Sequence, residues 1–284
     1  MTSLFDLHCH STVSDGLLSP KDLVAYAAKQ GVKVLALTDH DDVAGLQDAR
    51  EAAKEHGIQF VNGVEISVTW KKRTLHIVGL KIDAENAALK AAFEAVRRGR
   101  DLRAHEMGAD LARVGIHGAY EGAKALAGNS IITRTHFARF LVESGHAKDN
   151  KSVFKKYLVK GKPGYKDYEW MSLEQAVKLI KDSGGIPVIA HPGRYDLGTI
   201  NMLLLMHQFK SLGGVAIEVV TGSHAPPQYQ QFAKIAHRFG LKSSLGSDYH
   251  GTGISYMPMG CVPDLPAGCV PVWEDWPEAA NLVN

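Results

Sequence analysis

Short apolar runs alternate with amphipathic segments in both outer thirds of the chain. Val32–Leu37 is almost wholly apolar, which is typical of a strand buried on both faces. The preceding segment, Lys21–Gln30, places its apolar residues on one helical face and stops at Gly31. The last third repeats this rhythm, with strands predicted at Ile186–Ala190 and Val215–Val220. Because helices separate most of about seven predicted strands, we expect an α/β barrel with parallel strands, and an open doubly wound sheet is the alternative.

The rhythm is interrupted between residues 100 and 165, where the pattern is mostly helical and no buried strand is evident. We interpret residues 100–165 as a helical insertion from one barrel loop, and residues 1–99 and 166–284 as the barrel itself. Loops at the carboxyl ends of barrel strands shape substrate specificity. The insertion is therefore expected to contribute to substrate binding.

Charge, hydropathy and cysteine content narrow the function classes. The formal net charge is +2, which argues against a broad polyanion-binding surface. No apolar run approaches the roughly 18 residues of a membrane span, and Asp6 and His8 come too early for a signal peptide. Three cysteines are an odd and sparse set, so reduced thiols are expected. We predict a cytoplasmic protein with no membrane association and no obligate protein partner.

Histidines and carboxylates cluster where the predicted strands end. His8 and His10 are two residues apart, so on a strand both side chains point to the same face. Imidazole and carboxylate groups together suit borderline divalent metals, and a catalytic site needs about three protein ligands. Nine candidates therefore predict two or three metals in one pocket. The candidate ligands are His8, His10, Asp15, His40, Glu65, His76, His191, Asp248 and His250.

Each of these positions has an ordinary structural explanation when it is taken alone. A single histidine at a strand end is more often structural or merely exposed, and Asp15 stands in a Ser-Asp-Gly sequence that is typical of a turn. Glu65 could be a surface charge at a strand end. Glu218 would face the barrel interior if the alternation of Val215–Val220 holds, but we do not favour it as a ligand. The metal prediction therefore depends on the number of such residues rather than on any one of them.

The segments DLHCHSTVSDG, LALTDHD, GVEIS, LHIVG, AHPGR and GSDYHG closely resemble the PHP (polymerase and histidinol phosphatase) family of metal-dependent phosphoesterases. The resemblance implies a distorted seven-stranded (β/α) barrel, here with an inserted small helical subdomain. It also implies three divalent metal ions, with manganese expected and iron or zinc as alternatives. By position, the resemblance assigns three ligand groups: His8, His10, Glu65 and Asp248; then Glu65, His76 and His191; then Asp15, His40 and His250.

Residues 131–142 and the later Gly222-Ser223-His224 resemble the branch of this family that hydrolyses 3′,5′-nucleoside bisphosphates. Some relatives in that branch trim RNA from the 5′ end. The resemblance implies removal of the 3′-phosphate, as in conversion of pAp to AMP. We expect attack on phosphorus by a metal-bridging hydroxide, with Asp39 or His191 protonating the leaving alkoxide.

A bisphosphate substrate also needs fixed cationic donors. Arg134 and Thr135 stand at a predicted helix start, where free N–H groups and the helix dipole favour anions. Arg194 lies three residues past a proposed ligand and can reach the pocket, and His136 and His224 are further candidate donors. Our hypothesis is that one phosphate is cleaved at the metals while Arg134 holds the other. Lys160 and Lys162 are as well explained by a solvated basic loop.

Three other functions remain open on the sequence alone. One is a 5′-to-3′ exoribonuclease or phosphodiesterase acting on short 5′-phosphorylated oligonucleotides, and another is a histidinol-phosphate-type phosphatase. The third is a non-catalytic module stabilised by metals. The near-neutral charge disfavours extensive contacts with a nucleic-acid backbone, although a short oligonucleotide needs few. The expected partner is a nucleotide, with short RNA as the alternative.

Overall fold

The structure is a computed structural model that describes residues 2–280, so Met1 and residues 281–284 of the predicted barrel lie outside it. The strands of the described chain are β1 (Phe5–Asp6), β2 (Val34–Leu37), β3 (Gln59–Trp70), β4 (Arg73–Leu80), β5 (Met171–Ser172), β6 (Ile186–Ile189), β7 (Ala216–Thr221) and β8 (Lys242–Gly246). Its α-helices are α1 (Pro20–Lys29), α2 (Leu46–His56), α3 (Ala87–Arg113), α4 (Ala119–Ala127), α5 (Arg134–Glu143), α6 (Asn150–Val153), α7 (Leu173–Asp182), α8 (Gly198–Ser211) and α9 (Pro226–Phe239).

The strands form a nearly closed barrel, which confirms the predicted architecture and excludes the open sheet. Seven strands follow the order β1-β2-β3-β4-β6-β7-β8, while β5 pairs only with β3. At the seam between β1 and β8, the Leu7 amide donates to the Leu245 carbonyl at 3.2 Å, and Cys9 bridges to Tyr249. Gly246 permits this approach, because a Cβ there would lie 2.4 Å from the Cβ of His8.

The prediction that the strands are parallel was wrong for β4. This strand runs antiparallel to both of its neighbours, β3 and β6, while the other barrel pairs are parallel. β3 and β4 form a hairpin whose two connecting residues, Lys71 and Lys72, have φ angles of 46° and 61°. A two-residue hairpin turn commonly needs positive φ at both positions and is usually marked by Asn or Gly. Two lysines carry no such mark, which is why the hairpin was missed.

Two separate apolar clusters stabilise the described part of the chain. The larger one joins the barrel strands to the helices around them. The smaller one lies between Ala104 and Leu158 and includes Met107, Leu111 and Phe137. α3 contributes to both clusters, and its 27 residues make it about 40 Å long. It therefore carries the chain from the barrel wall to the smaller cluster. No helix of residues 2–280 is both long and apolar enough to cross a membrane.

Candidate active site

The first two candidate ligands lie just after β1 and share one face of the chain. The rings of His8 and His10 are fully buried, and their Nε2 atoms are 3.1 Å apart. The intervening Cys9 points away, and its Sγ donates to the Ala36 carbonyl at 3.2 Å. The alternation that holds Cys9 in the barrel wall therefore directs both imidazoles to one point inside.

Glu65 lies at the centre of the cluster, but not at the strand end where the sequence placed it. β3 continues five residues beyond it to Trp70, and His76 likewise lies within β4. Glu65 Oε1 accepts hydrogen bonds from His76 Nδ1 and His191 Nε2, both at 2.9 Å. Its Oε2 is 2.9 Å from His40 Nδ1. One buried carboxylate thus connects a histidine of β4 with histidines that follow β2 and β6.

The remaining acidic ligands complete the cluster. Asp15 Oδ1 lies 3.3 Å from His250 Nε2, and Asp248 Oδ1 lies 3.4 Å from His10 Nε2. The structure therefore brings all nine candidates together. Four overlapping groups have ligand atoms close enough to share an ion: His10, Asp15, His40 and His250; His8, Glu65 and His191; His8, His10 and Asp248; and His40, Glu65 and His76.

The chemistry of this donor set fits divalent metal ions. Oδ1 of Asp15, Oε2 of Glu65 and Oδ1 of Asp248 are buried and make no hydrogen bond within residues 2–280, although imidazole nitrogens lie 2.9–3.4 Å away. Buried charged oxygens without a partner are strongly destabilising. They face imidazole nitrogens, while the other oxygen of Asp248 pairs with Arg194. Nitrogen and oxygen donors together suit manganese, iron or zinc.

The protonation states of Glu65 and His10 suit metal binding, whereas Asp15 outweighs burial and raises the pKa of His250 to about 9, so a metal bound there would displace a proton. Burial raises the pKa of Glu65, but His76 and His40 outweigh it and hold that pKa well below its usual range. Burial, together with His250, lowers the pKa of His10 to about 3. An ionised carboxylate and a neutral imidazole are the forms that bind metals.

Glu218 contacts two of the candidate ligands, a position that the sequence only suggested. It lies in β7 and points into the barrel, where its Oε1 is 2.7 Å from His8 Nδ1. Its Oε2 accepts the backbone N–H of His191 at 2.5 Å, and His191 has an unusual φ of 27°. A carboxylate on the far nitrogen of a metal-binding histidine sets its tautomer and orientation. The alternation of β7 was the signal for this position, but no sequence pattern identifies its partners.

Asp39 lies behind the cluster and does not line the cavity that adjoins it. Its carboxylate accepts hydrogen bonds from the hydroxyls of Ser11 and Ser14, both at 2.6 Å, and from the Ser11 amide at 2.8 Å. The Ser14 hydroxyl is also 3.4 Å from His10 Nδ1. The contacts of Asp39 therefore run through Ser14 to His10.

A cavity of about 110 Å³ adjoins the cluster at His40, His76 and His250. Arg134, Thr135 and Arg194 line it, as the sequence suggested. Arg194 Nη1 donates to Asp248 Oδ2 at 3.0 Å, whereas no carboxylate in the described chain lies within ion-pair distance of Arg134. The cavity wall therefore presents an uncompensated guanidinium close to the proposed metals.

Two further arginines of this cavity, Arg100 and Arg103, were not expected. Arg100 donates to Asp41 and to the Ser67 hydroxyl, and its guanidinium lies 4.5 Å from the ring centre of Trp170. Arg103 lies 5.6 Å from the same ring, and burial, with Arg134 nearby, lowers its pKa to about 9. The two are three residues apart on α3, so they share a helix face. Their spacing was visible in the sequence, but their position beside the cluster was not.

His136 and His224 do not line this cavity. His136 Nδ1 accepts the Thr133 amide at 3.1 Å and so caps the start of α5. His224 Nε2 accepts the Gly193 amide at 2.9 Å, and its Nδ1 pairs with the Val219 carbonyl at 3.1 Å. Burial lowers the pKa of each to about 4. Both rings are therefore neutral near pH 7, and the contacts they make support the fold around the site.

Comparison with known proteins extends over nearly the whole chain. The profile of the PHP domain family matches residues 6–238. The chain is 48% identical over 271 residues to a 3′,5′-nucleoside bisphosphate phosphatase of Chromobacterium violaceum, covering 95% of each. It is 43% identical over 274 residues to a 5′-3′ exoribonuclease of Haemophilus influenzae, covering 96% of this chain and 99% of the other. A solved amidohydrolase structure from Chromobacterium violaceum, with bound sulfate and no metal, matches with a TM-score of 0.93 at 48% identity and covers 95% of each chain.

Proposed function

Since the chain belongs to the PHP domain family and is a metal-dependent phosphoesterase, we propose that it removes the 3′-phosphate from 3′,5′-nucleoside bisphosphates, as in conversion of pAp to AMP. The observation that carries this proposal is the arginine-lined cavity directly beside the ligand cluster. A monophosphate needs charge neutralisation only where its phosphate is cleaved. A second cationic site a few ångströms away fits a substrate with two phosphates.

We propose that the nine residues hold three divalent metal ions, with manganese preferred and iron or zinc as alternatives. When bound, such ions supply Lewis acidity that activates water and neutralises phosphoryl charge. Glu65 is the proposed shared ligand, because its two oxygens face a histidine of β4 and the histidines that follow β2 and β6. The number and overlap of the ligand groups support this assignment.

Arg134 is proposed to hold the 5′-phosphate. Its guanidinium has no carboxylate within ion-pair distance in the described chain, and burial lowers its pKa. A bound phosphate would compensate the buried positive charge of Arg134 and accept a bidentate, charge-assisted hydrogen bond from its guanidinium. Thr135 lies in the first turn of α5, where the helix dipole adds a favourable field. Arg194 already compensates Asp248, so we assign it to the phosphate nearer the metals.

Glu218 and Asp39 are proposed as positioning residues. Glu218 orients the His8 ring and accepts a hydrogen bond from the His191 backbone. Asp39 accepts a hydrogen bond from Ser14, whose hydroxyl also contacts His10. Burial raises the pKa of Asp39 to about 6, but its oxygens are engaged by serine donors and it does not line the cavity, so its position disfavours it as the proton donor. Burial, together with Arg194, lowers the pKa of His191 to about 3, so its neutral ring fits a metal ligand rather than a proton donor, and neither of the two predicted residues is assigned the protonation of the leaving alkoxide.

A second candidate function is 5′-to-3′ exoribonuclease activity on short 5′-phosphorylated oligonucleotides. The Haemophilus influenzae relative is named for that activity, and an exposed lysine-rich segment beside the cavity favours it.

We further propose a cytoplasmic location, because Cys9, Cys261 and Cys269 are all free thiols.

A phosphate-release assay with added manganese tests the proposal. The substrates are pAp, 3′-AMP, 5′-AMP, histidinol phosphate and a short 5′-phosphorylated RNA. We expect the highest kcat/KM on pAp, loss of activity with a chelator, and recovery on adding metal back. His10→Ala and Asp248→Ala should lower bound metal and activity together. Equal kcat/KM on pAp and 3′-AMP would contradict recognition of a second phosphate, and full activity without metal would contradict the whole scheme.

A further inference from the structure

An exposed, lysine-rich segment lies between residues 148 and 162, and we call it the lysine tract. It contains one acidic residue, Asp149, and its formal charge of +5 leaves −3 for the rest of the chain. The only ion pair that these lysines make in the described chain joins Lys148 to Asp149 at 3.9 Å. The exposed lysines are Lys148, Lys151, Lys155, Lys156, Lys160 and Lys162. Positive charge is thus concentrated in one exposed segment of a nearly neutral protein.

The backbone of the tract is fixed to the smaller apolar cluster. Val153 and Leu158 are fully buried there. The Asp149 carboxylate accepts the Ser152 amide at 2.7 Å, and the Gly164 amide donates to the Tyr157 carbonyl at 2.8 Å. The lysine stems are flexible, but their attachment points are held in place. Ordering the tract on a ligand therefore requires little loss of backbone entropy.

The tract is continuous with the wall of the substrate cavity. Phe154 lines that cavity, and its ring centre is 5.8 Å from the guanidinium of Arg134. Lys155 and Lys156 follow Phe154 directly and are exposed. The cavity of about 110 Å³ is well below the roughly 300 Å³ of a typical small-molecule pocket. It can therefore hold phosphates, while the rest of a nucleotide must extend outside.

We propose that the lysine tract binds the sugar-phosphate backbone of a single-stranded oligonucleotide whose 5′-terminal nucleotide occupies the cavity. This inference rests on the proposed function, since it uses the same catalytic centre. Lysine ammonium groups act as mobile point charges that contact phosphates without reading bases. If three lysines neutralise three phosphates of a single strand, binding should fall with salt at a log–log slope of about −2, or about 20-fold between 50 and 200 mM.

The test compares two triple variants. Lys151→Gln, Lys155→Gln and Lys160→Gln remove charge from the tract. Lys29→Gln, Lys33→Gln and Lys54→Gln remove the same charge from exposed positions that do not line the cavity. With a 5′-phosphorylated RNA pentamer, the tract variant should lose about 10-fold in kcat/KM at 50 mM salt, and its log–log salt slope should be shallower than that of the wild type by about 2. Both variants should hydrolyse pAp at the wild-type rate, which also shows that they are folded.

Fluorescence anisotropy of a labelled pentamer with the metal-loaded protein measures binding to the lysine tract separately from catalysis. The label is fluorescein. Equal binding and equal salt slopes for the two variants would overturn the proposal, as would equal losses on the pentamer and on pAp. If the wild type hydrolyses pAp but neither binds nor cleaves the pentamer, the tract fails while the proposed function stands. If the pentamer binds through the tract but pAp is not hydrolysed, the tract stands and the bisphosphate proposal fails.

Discussion

Replacing Arg134 with alanine is the most direct test of how the protein chooses its substrate. Arg134 lines the cavity, and no carboxylate of the described chain pairs with it. Its removal therefore leaves no acidic partner buried and unpaired, unlike removal of Arg100, which is bonded to Asp41. The loss should be confined to binding of the second phosphate. Arg139→Ala provides a matched control, because Arg139 lies on the same helix and does not line the cavity.

The expected magnitude follows from the contact that is lost. A hydrogen bond to a charged group contributes about 1.5–3 kcal/mol, which corresponds to about 10- to 150-fold in kcat/KM. That loss should appear with pAp and be nearly absent with 3′-AMP, which lacks the 5′-phosphate. Arg103, which lies in the same cavity, should retain part of the affinity and place the effect in the lower half of that range.

Phosphate release measured with both substrates, at a fixed metal concentration, gives the ratio directly. Arg139→Ala should leave both rates unchanged. Equal losses on pAp and 3′-AMP would refute the assignment, because they would mean that Arg134 supports the metal centre or the fold rather than the second phosphate.

Three further outcomes are expected. Glu218→Gln should weaken metal affinity about 10- to 100-fold, as measured by metal content after dialysis, because the amide cannot accept from both of its present donors; unchanged metal content would contradict a positioning role. Arg100→Ala should lower the free energy of unfolding by about 3 kcal/mol, since Asp41 is left buried without its cationic partner and keeps only the hydrogen bond from the Ser67 amide, and restoring stability with Asp41→Asn in that background is the check. Burial lowers the pKa of His136 and His224 to about 4, so the unfolded chain binds more protons below pH 6.5 and stability should fall towards pH 4 by about 1.4 kcal/mol per pH unit for each ring. Denaturant titrations at several pH values should show that the unfolding free energy of the variant with His136→Gln and His224→Gln falls less steeply between pH 6.5 and pH 4. An equally steep fall would show that these two rings do not cause it.

The sequence predicted the barrel and the residues of its rim because both depend on local patterns. An apolar run of four to six residues that is flanked by helices is typical of a buried strand. A histidine directly after such a run lies at the rim of the barrel. His40 and His191 are of this kind. Glu65 and His76 were assigned to strand ends because the hairpin between them has lysines at its turn. Their positions depend on the antiparallel register of β3 and β4, in which His76 is opposite Ser67.

The substrate cavity was harder to predict, because it depends on contacts between distant segments. Arg100 and Arg103 reach it only because α3 extends from the barrel to the smaller cluster. His136 looked like an anion donor, yet it stands three residues after Thr133 and completes a helix cap. A polar residue at that spacing satisfies backbone groups first. The nitrogen of His136 is therefore used by the backbone of its own helix, and the role of anion donor that its position suggested is not supported.

The seam between β1 and β8 has a consequence for how the protein is made. His8 and His10 stand on one side of the seam, Asp248 and His250 on the other, and Cys9 bridges to Tyr249 between them. During translation the amino-terminal ligands leave the ribosome long before the last two have been synthesised. A nascent chain therefore exposes an incomplete chelator, and the full centre forms only when the seam closes. Because metal affinity and folding are thermodynamically linked, metal uptake should coincide with closure of the barrel in the newly synthesised chain.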